Sequence, residues 1–107
     1  MKRGVKELRS LLRKYGALDN ELRLAAVLEI MENPGISFND LARKLGVEKG
    51  LLAYHIGVLK AAGLVKVNPH RKGRKTSHYQ LTEECKSILE ELLSKVERPS
   101  AQPKPSS

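Results

Sequence analysis

Phe38-Asn-Asp-Leu-Ala-Arg-Lys-Leu-Gly-Val-Glu-Lys-Gly-Leu-Leu-Ala-Tyr-His-Ile-Gly-Val-Leu-Lys-Ala-Ala-Gly63 is the stretch on which the fold turns. Ser37, followed three residues later by Asp40, is a capping-box pattern that opens a short helix from Asn39 to Leu45, and Gly46 ends it. Only Gly46 and Val47 separate that helix from a longer one, Glu48 to Ala62, in which Leu52, Ile56 and Leu59 fall on one face. Gly63 supplies a left-handed stop. Two helices about a tight glycine turn predict a helix-turn-helix.

Beyond Gly63 the apolar period changes from helical to two. Val65 and Val67 alternate with Lys66 and Asn68, and after Arg71-Lys-Gly-Arg-Lys75 the pair Tyr79 and Leu81 alternates with His78 and Gln80. This predicts a β-hairpin whose tip is basic, with Gly73 letting Arg71 and Arg74 splay apart. Thr82 caps a last helix, with Glu83 and Glu84 in its electropositive first turn and Cys85, Ile88, Leu89, Leu92, Leu93 and Val96 along one stripe.

Upstream, Ile36-Ser-Phe38 is long enough only for one edge of a small sheet. Asp19 or Asn20 can cap a helix that ends at Asn33-Pro34-Gly35 and that Leu22, Leu24, Ala25, Val27, Leu28, Ile30 and Met31 nearly surround, as suits a central core helix. Before it, Val5, Leu8, Leu11 and Leu12 mark an amphipathic helix over residues 3–14, ending before Gly16, with a strongly basic polar face. The expected fold is mainly α with a small β-hairpin wing, a winged helix-turn-helix. It forms one domain over residues 1–96, and the Pro/Ser-rich stretch 97–107 is expected to be disordered.

The 107 residues hold 20 Lys plus Arg against 12 Asp plus Glu, a formal charge of +8. The charge is segregated. Lys2, Arg3, Lys6, Arg9, Arg13 and Lys14 face only Glu7 at the amino end, and Lys66, Arg71, Lys72, Arg74 and Lys75 cluster about the hairpin without an acid, whereas the last helix is acidic. Such clustering predicts a polyanionic partner, and a helix-turn-helix beside a basic hairpin makes that partner double-stranded DNA. The second helix enters the major groove, and the hairpin reaches phosphates or the minor groove.

Residues 47–65, Val-Glu-Lys-Gly-Leu-Leu-Ala-Tyr-His-Ile-Gly-Val-Leu-Lys-Ala-Ala-Gly-Leu-Val, resemble the recognition helix and wing entry of ArsR-type winged-helix regulators. Residues 38–47 resemble the preceding helix and turn of that family, and Tyr79-Gln-Leu-Thr82 resembles its second wing strand. Shorter pieces are similar to MarR-type and archaeal winged-helix proteins as well. The resemblance, over residues 20–96, implies a homodimer joined through the first and last helices. The leucine stripes point to the same surfaces, placing Leu8, Leu11, Leu12, Ile88, Leu89, Leu92, Leu93 and Val96 at the interface. The DNA-contacting set is then Lys49, Gly50, Ala53, Tyr54 and Lys60 on the helix with Arg71, Lys72, Arg74 and Lys75 on the wing.

This chain departs from the family in two ways. Glu48, Gly50 and Ala53 stand where small polar residues are common, and Leu51 and Gly57 add no hydrogen-bonding side chain, so only Lys49, Tyr54 and Lys60 can bond to DNA from that helix. Modest base discrimination and a large share of phosphate and shape recognition are expected. The family's Cys-x-Cys metal motif is absent from residues 36–52.

No cofactor or metal is expected. His55 reads as a packed or hydrogen-bonded residue, and His70 and His78 have no carboxylate or thiolate beside them to complete a site. The one cysteine, Cys85, reads as a buried small hydrophobe in a reducing cytoplasm, with a redox thiol as the alternative. No apolar run reaches membrane-spanning length. No nucleophile-and-base arrangement or phosphate-binding glycine loop suggests an enzyme. The expected function is that of a dimeric DNA-binding transcription regulator, with an architectural DNA-binding protein of low specificity as the alternative and a protein-interaction module as the third. The degree of sequence preference separates the first two.

Overall fold

The computed structural model describes residues 4–68 and 77–97. Helix α1 spans Val5–Leu18 and α2 Glu21–Glu32, followed by β1 Ile36–Ser37, α3 Phe38–Leu45, α4 Lys49–Ala61, β2 Val65–Val67, β3 His78–Leu81 and α5 Glu83–Glu97. The α1 helix does not stop before Gly16 as its sequence suggests. It continues to Leu18, because Ala17 and Leu18 are buried in the core. Their burial outweighs the cost of a helical glycine, about 1 kcal/mol.

The Asn20 side chain caps α2 by accepting from the Arg23 amide at 2.9 Å. From there α2 runs through the middle of the domain, where Ala26, Val27 and Ile30 are wholly shielded from solvent. The chain reverses at Gly35, whose φ of 87° lies in the left-handed region. Its amide donates to the Tyr79 carbonyl at 2.8 Å, bringing β1 against the hairpin. The sheet therefore has three antiparallel strands in the order β1-β3-β2, with Ile36 opposite Tyr79 and Val65 opposite Leu81. Residues 36–37 take the edge position that their length allowed.

One core joins all the layers. Leu41 of α3, Leu52 and Leu59 of α4, Leu64, and Leu89 and Cys85 of α5 are fully buried around α2. Thr82 fixes the start of α5, its hydroxyl accepting from the Cys85 amide at 3.2 Å. Residues 98–107, most of the stretch expected to be a disordered tail, lie outside the described residues.

Candidate nucleic-acid interface

The α3–α4 unit is set by its turn. Ser37 Oγ accepts from the Asp40 amide at 3.1 Å and so caps α3. At the other end Gly46 adopts φ 66°, and Val47 N donates to the Ala42 carbonyl at 3.2 Å. This left-handed residue redirects the chain in one step, so that α4 can begin at Lys49. Leu52, Ile56 and Leu59 then anchor α4 on the core, each buried side chain contributing roughly 1.5–3 kcal/mol.

With one face of α4 so committed, the other is open. Lys49, Gly50, Ala53, Tyr54 and Lys60 are all exposed, together with Leu51 and Gly57. The face is smooth along Gly50, Ala53 and Gly57, bears the Tyr54 ring, 62% exposed, and has lysines near both ends. The first turn of α4 holds Lys49 and no acidic residue, while the exposed Glu48 occupies the N-cap position just before it. Arg43, which the sequence pattern does not single out, lines a shallow groove with Asn39, Gly46, Val47 and Lys49. It is ion-paired with Asp40 on the exposed face of α3.

The hairpin lies directly after α4. Val65, Lys66 and Val67 pair with Leu81, Gln80 and Tyr79, and the Asn68 amide donates to the His78 carbonyl at 2.8 Å. Lys66 is exposed on β2. The basic tip, with Arg71, Lys72, Arg74 and Lys75, lies outside the described residues, as does His70.

A core to which all five helices contribute, a helix-turn-helix with one free face and a hairpin closing a small sheet make one recognisable whole. The chain is a winged helix-turn-helix domain. Residues 19–66 match the family model of winged helix-turn-helix DNA-binding domains. The transcriptional regulator HlyU from Vibrio vulnificus is 26% identical, with a TM-score of 0.68 over 85% of this chain and 92% of that one. The crystal structure of MarR is 26% identical, with a TM-score of 0.67 over 83% and 66% of the two chains. A homodimeric winged helix-turn-helix DNA-binding domain from Mycobacterium bovis, described as a possible ArsR-family transcriptional regulator, shares the fold at 21% identity, with a TM-score of 0.74 over 90% and 85%. No curated protein matches the chain. These solved structures share the winged-helix fold over 83–90% of this chain.

His55 faces inward from α4 and is the one buried polar side chain among the described residues. It has a specific partner, Arg23 of α2, whose Nη1 is 3.0 Å from His55 Nδ1. Burial first, and the Arg23 charge second, hold its pKa below the usual 6.5. The sequence signal for burial was present, since His55 lies between Leu52 and Leu59 on the apolar face. The identity of its partner, 32 positions away, was not.

The surface expected to join two winged-helix protomers divides in two. Leu8, Leu12 and Val96 are at least 60% exposed and Leu92 is 37% exposed, while Leu11 and Leu93 are half-buried. Ile88 and Leu89 instead close onto the protomer's own core, 6% and 2% exposed, because α5 packs against β3 of the sheet with that part of its stripe. They offer a partner little surface. Tyr15, absent from the expected set, belongs with the exposed group: it lines a cleft with Gly16, Leu18, Leu24 and Leu92 that joins α1 to α5.

Cys85 is fully buried, and burial pushes its thiol up to about 11. Among the described residues no three His, Cys, Asp or Glu side chains cluster as metal ligands, and no helix is long and apolar enough to cross a membrane.

Proposed function

We propose that this chain is a homodimeric transcription regulator that binds double-stranded DNA, with α4 in the major groove and the basic wing on phosphates or in the minor groove. The observation that carries the reading is the open face of α4. Its opposite face is fixed on the core by Leu52, Ile56 and Leu59, while Lys49, Tyr54 and Lys60 stand free beside the hairpin. The net charge of +8 suits a polyanion. Likeness to the transcriptional regulator HlyU supports the regulatory role, and the exposed leucines of α1 and α5 support the dimer. In such a dimer two recognition helices meet half-sites about 34–36 Å apart. Contacts are assigned to Lys49, Gly50, Ala53, Tyr54 and Lys60, and to Arg71, Lys72, Arg74 and Lys75 of the wing.

A second reading, an architectural protein with little base preference, is favoured by the smooth Gly50, Ala53 and Gly57 face, which can approach bases closely but donates nothing to them.

Fluorescence anisotropy decides between them, using labelled duplexes of the protein's own upstream region and of a scrambled copy at several salt concentrations. A regulator prefers one duplex by about a thousandfold or more. Equal affinity with a steep salt dependence establishes the architectural reading. No binding at low salt overturns both and leaves a protein-interaction surface around Leu51 and Tyr54.

A further inference from the structure

Arg23 joins three helices. Its Nε donates to the Ala17 carbonyl in the last turn of α1 at 2.6 Å, and its Nη1 reaches His55 Nδ1 of α4 at 3.0 Å. A guanidinium has donors only, so His55 Nδ1 is the acceptor and the imidazole proton sits on Nε2. The His55 ring in turn meets Tyr54 edge-on, with centroids 4.9 Å apart and ring planes at 69°. An unbroken series of contacts therefore runs from the end of α1, through α2, to the aromatic ring on the open face of α4.

We propose that Arg23 and His55 are positioning residues for DNA binding: they hold α4 and Tyr54 in the binding orientation only while His55 is neutral, so affinity for duplex DNA falls in acid. The inference rests on the DNA-binding reading and adds to it a pair of residues that never touches DNA.

The groups around His55 set the sign. From α2 it faces the Arg23 guanidinium, and α1 contributes the Ala17 carbonyl, which Arg23 already occupies. Arg13 lines the same groove as Arg23, together with Ala17, Val58, Ala61 and Ala62. On its own helix the neighbour is Tyr54. Among the described residues no carboxylate from α3, β2 or any other element pairs with His55 or Arg23. Protonating Nδ1 therefore abolishes the acceptor and sets an imidazolium against a guanidinium, with no anion to compensate. Binding is unaffected above the usual histidine value of 6.5 and weakens in acid as the pH falls to the lowered value of His55. The loss is at most about tenfold per pH unit for each His55 that must stay neutral, and so about a hundredfold for a dimer. A histidine that merely added charge near phosphate would strengthen binding in acid, the opposite sign.

The test measures duplex affinity by anisotropy from pH 7.5 to 5.0, with far-UV circular dichroism at each pH to verify folding. It uses wild-type protein and a His70→Gln/His78→Gln background in which His55 is the only histidine. Into that background is placed His55→Asn, whose amide oxygen can replace Nδ1 as an uncharged acceptor, or His55→Leu, which cannot accept. The background loses affinity in acid, His55→Asn binds within about threefold of it at pH 7.5 with a flat profile, and His55→Leu is weakened at every pH. Two-bond proton–nitrogen spectra show the Nε2–H tautomer at pH 7.5. An acid profile unchanged by His55→Asn, affinity that rises in acid, or wild-type affinity in His55→Leu each overturns the inference while the DNA reading stands. Absence of wild-type binding at pH 7.5 removes both.

Discussion

Thr82 Oγ1 donates to the Gly63 carbonyl at 2.8 Å, tying the start of α5 to the residue that stops α4. The same hydroxyl accepts from the Cys85 amide, and the Thr82 amide donates to the Leu64 carbonyl at 3.0 Å. One side chain thus caps α5 and fastens it to the turn between the recognition unit and the hairpin. Thr82→Val keeps the shape and loses both hydroxyl bonds, whereas Thr82→Ser keeps them. The expected loss for Val is about 1–2 kcal/mol, a fall in Tm of roughly 4–8 °C per kcal/mol for a domain of this size. Thermal melts of the two variants check it, and equal melting points would deny Thr82 this role.

The dimer reading places a charge-sensitive surface on α1 and α5. Leu12 is 65% exposed, so glutamate there costs the isolated protomer little. Leu92, 37% exposed beside Tyr15, Leu18 and Leu24, loses part of its packing when replaced, so circular dichroism accompanies the test. In a dimer that buries them, the same carboxylates would be desolvated without partners, at several kcal/mol. Leu12→Glu/Leu92→Glu is therefore expected to sediment as a folded monomer and to lose tight DNA binding. A variant that remains dimeric moves the interface to another face.

Local signals made most of this fold legible. Ser37 with Asp40, the glycines at 46 and 63, and the change of period at Val65 each act over a few residues, and each produced the element expected of it. What a short window cannot contain is packing across the chain. Gly16 looks like a helix stop until Ala17 and Leu18 are seen in the core, and Ile88 and Leu89 share a stripe with Leu92 although the protomer itself covers them. For the candidate site, the exposure of Lys49, Tyr54 and Lys60 follows from the helical period. The Arg23–His55 contact depends on how α2 crosses α4, and no motif records that.

Cys85 offers a measure of how tightly α5 is held. At 0% exposure, with its thiol raised to about 11, it is almost wholly protonated near pH 8. Its thiolate fraction there is on the order of a thousandth, and access is blocked as well. Reaction with a thiol reagent in native protein should be at least a hundredfold slower than in denaturant. The folded value lies above the unfolded 9.0, so stability is intact below pH 9 and falls, by on the order of 2 kcal/mol, as pH rises toward 11. Cys85→Ala should flatten that part of the alkaline profile. Rapid native labelling would instead mean that α5 opens readily.

The wing tip is tested by its charge alone. Arg71, Lys72, Arg74 and Lys75 bracket Gly73 without an acidic neighbour in sequence, and side chains of this type neutralise phosphates independently of base identity. Replacing all four by alanine should weaken binding to specific and scrambled duplexes by the same factor. It should also flatten the dependence of log affinity on log salt by about 0.9 for each phosphate that is no longer neutralised. The specificity ratio, if set by α4 through Lys49, Tyr54 and Lys60, stays where it was. A ratio that collapses while total affinity holds would instead make the wing the base reader. In that case the few donors on α4 would position the helix and the hairpin would choose the site.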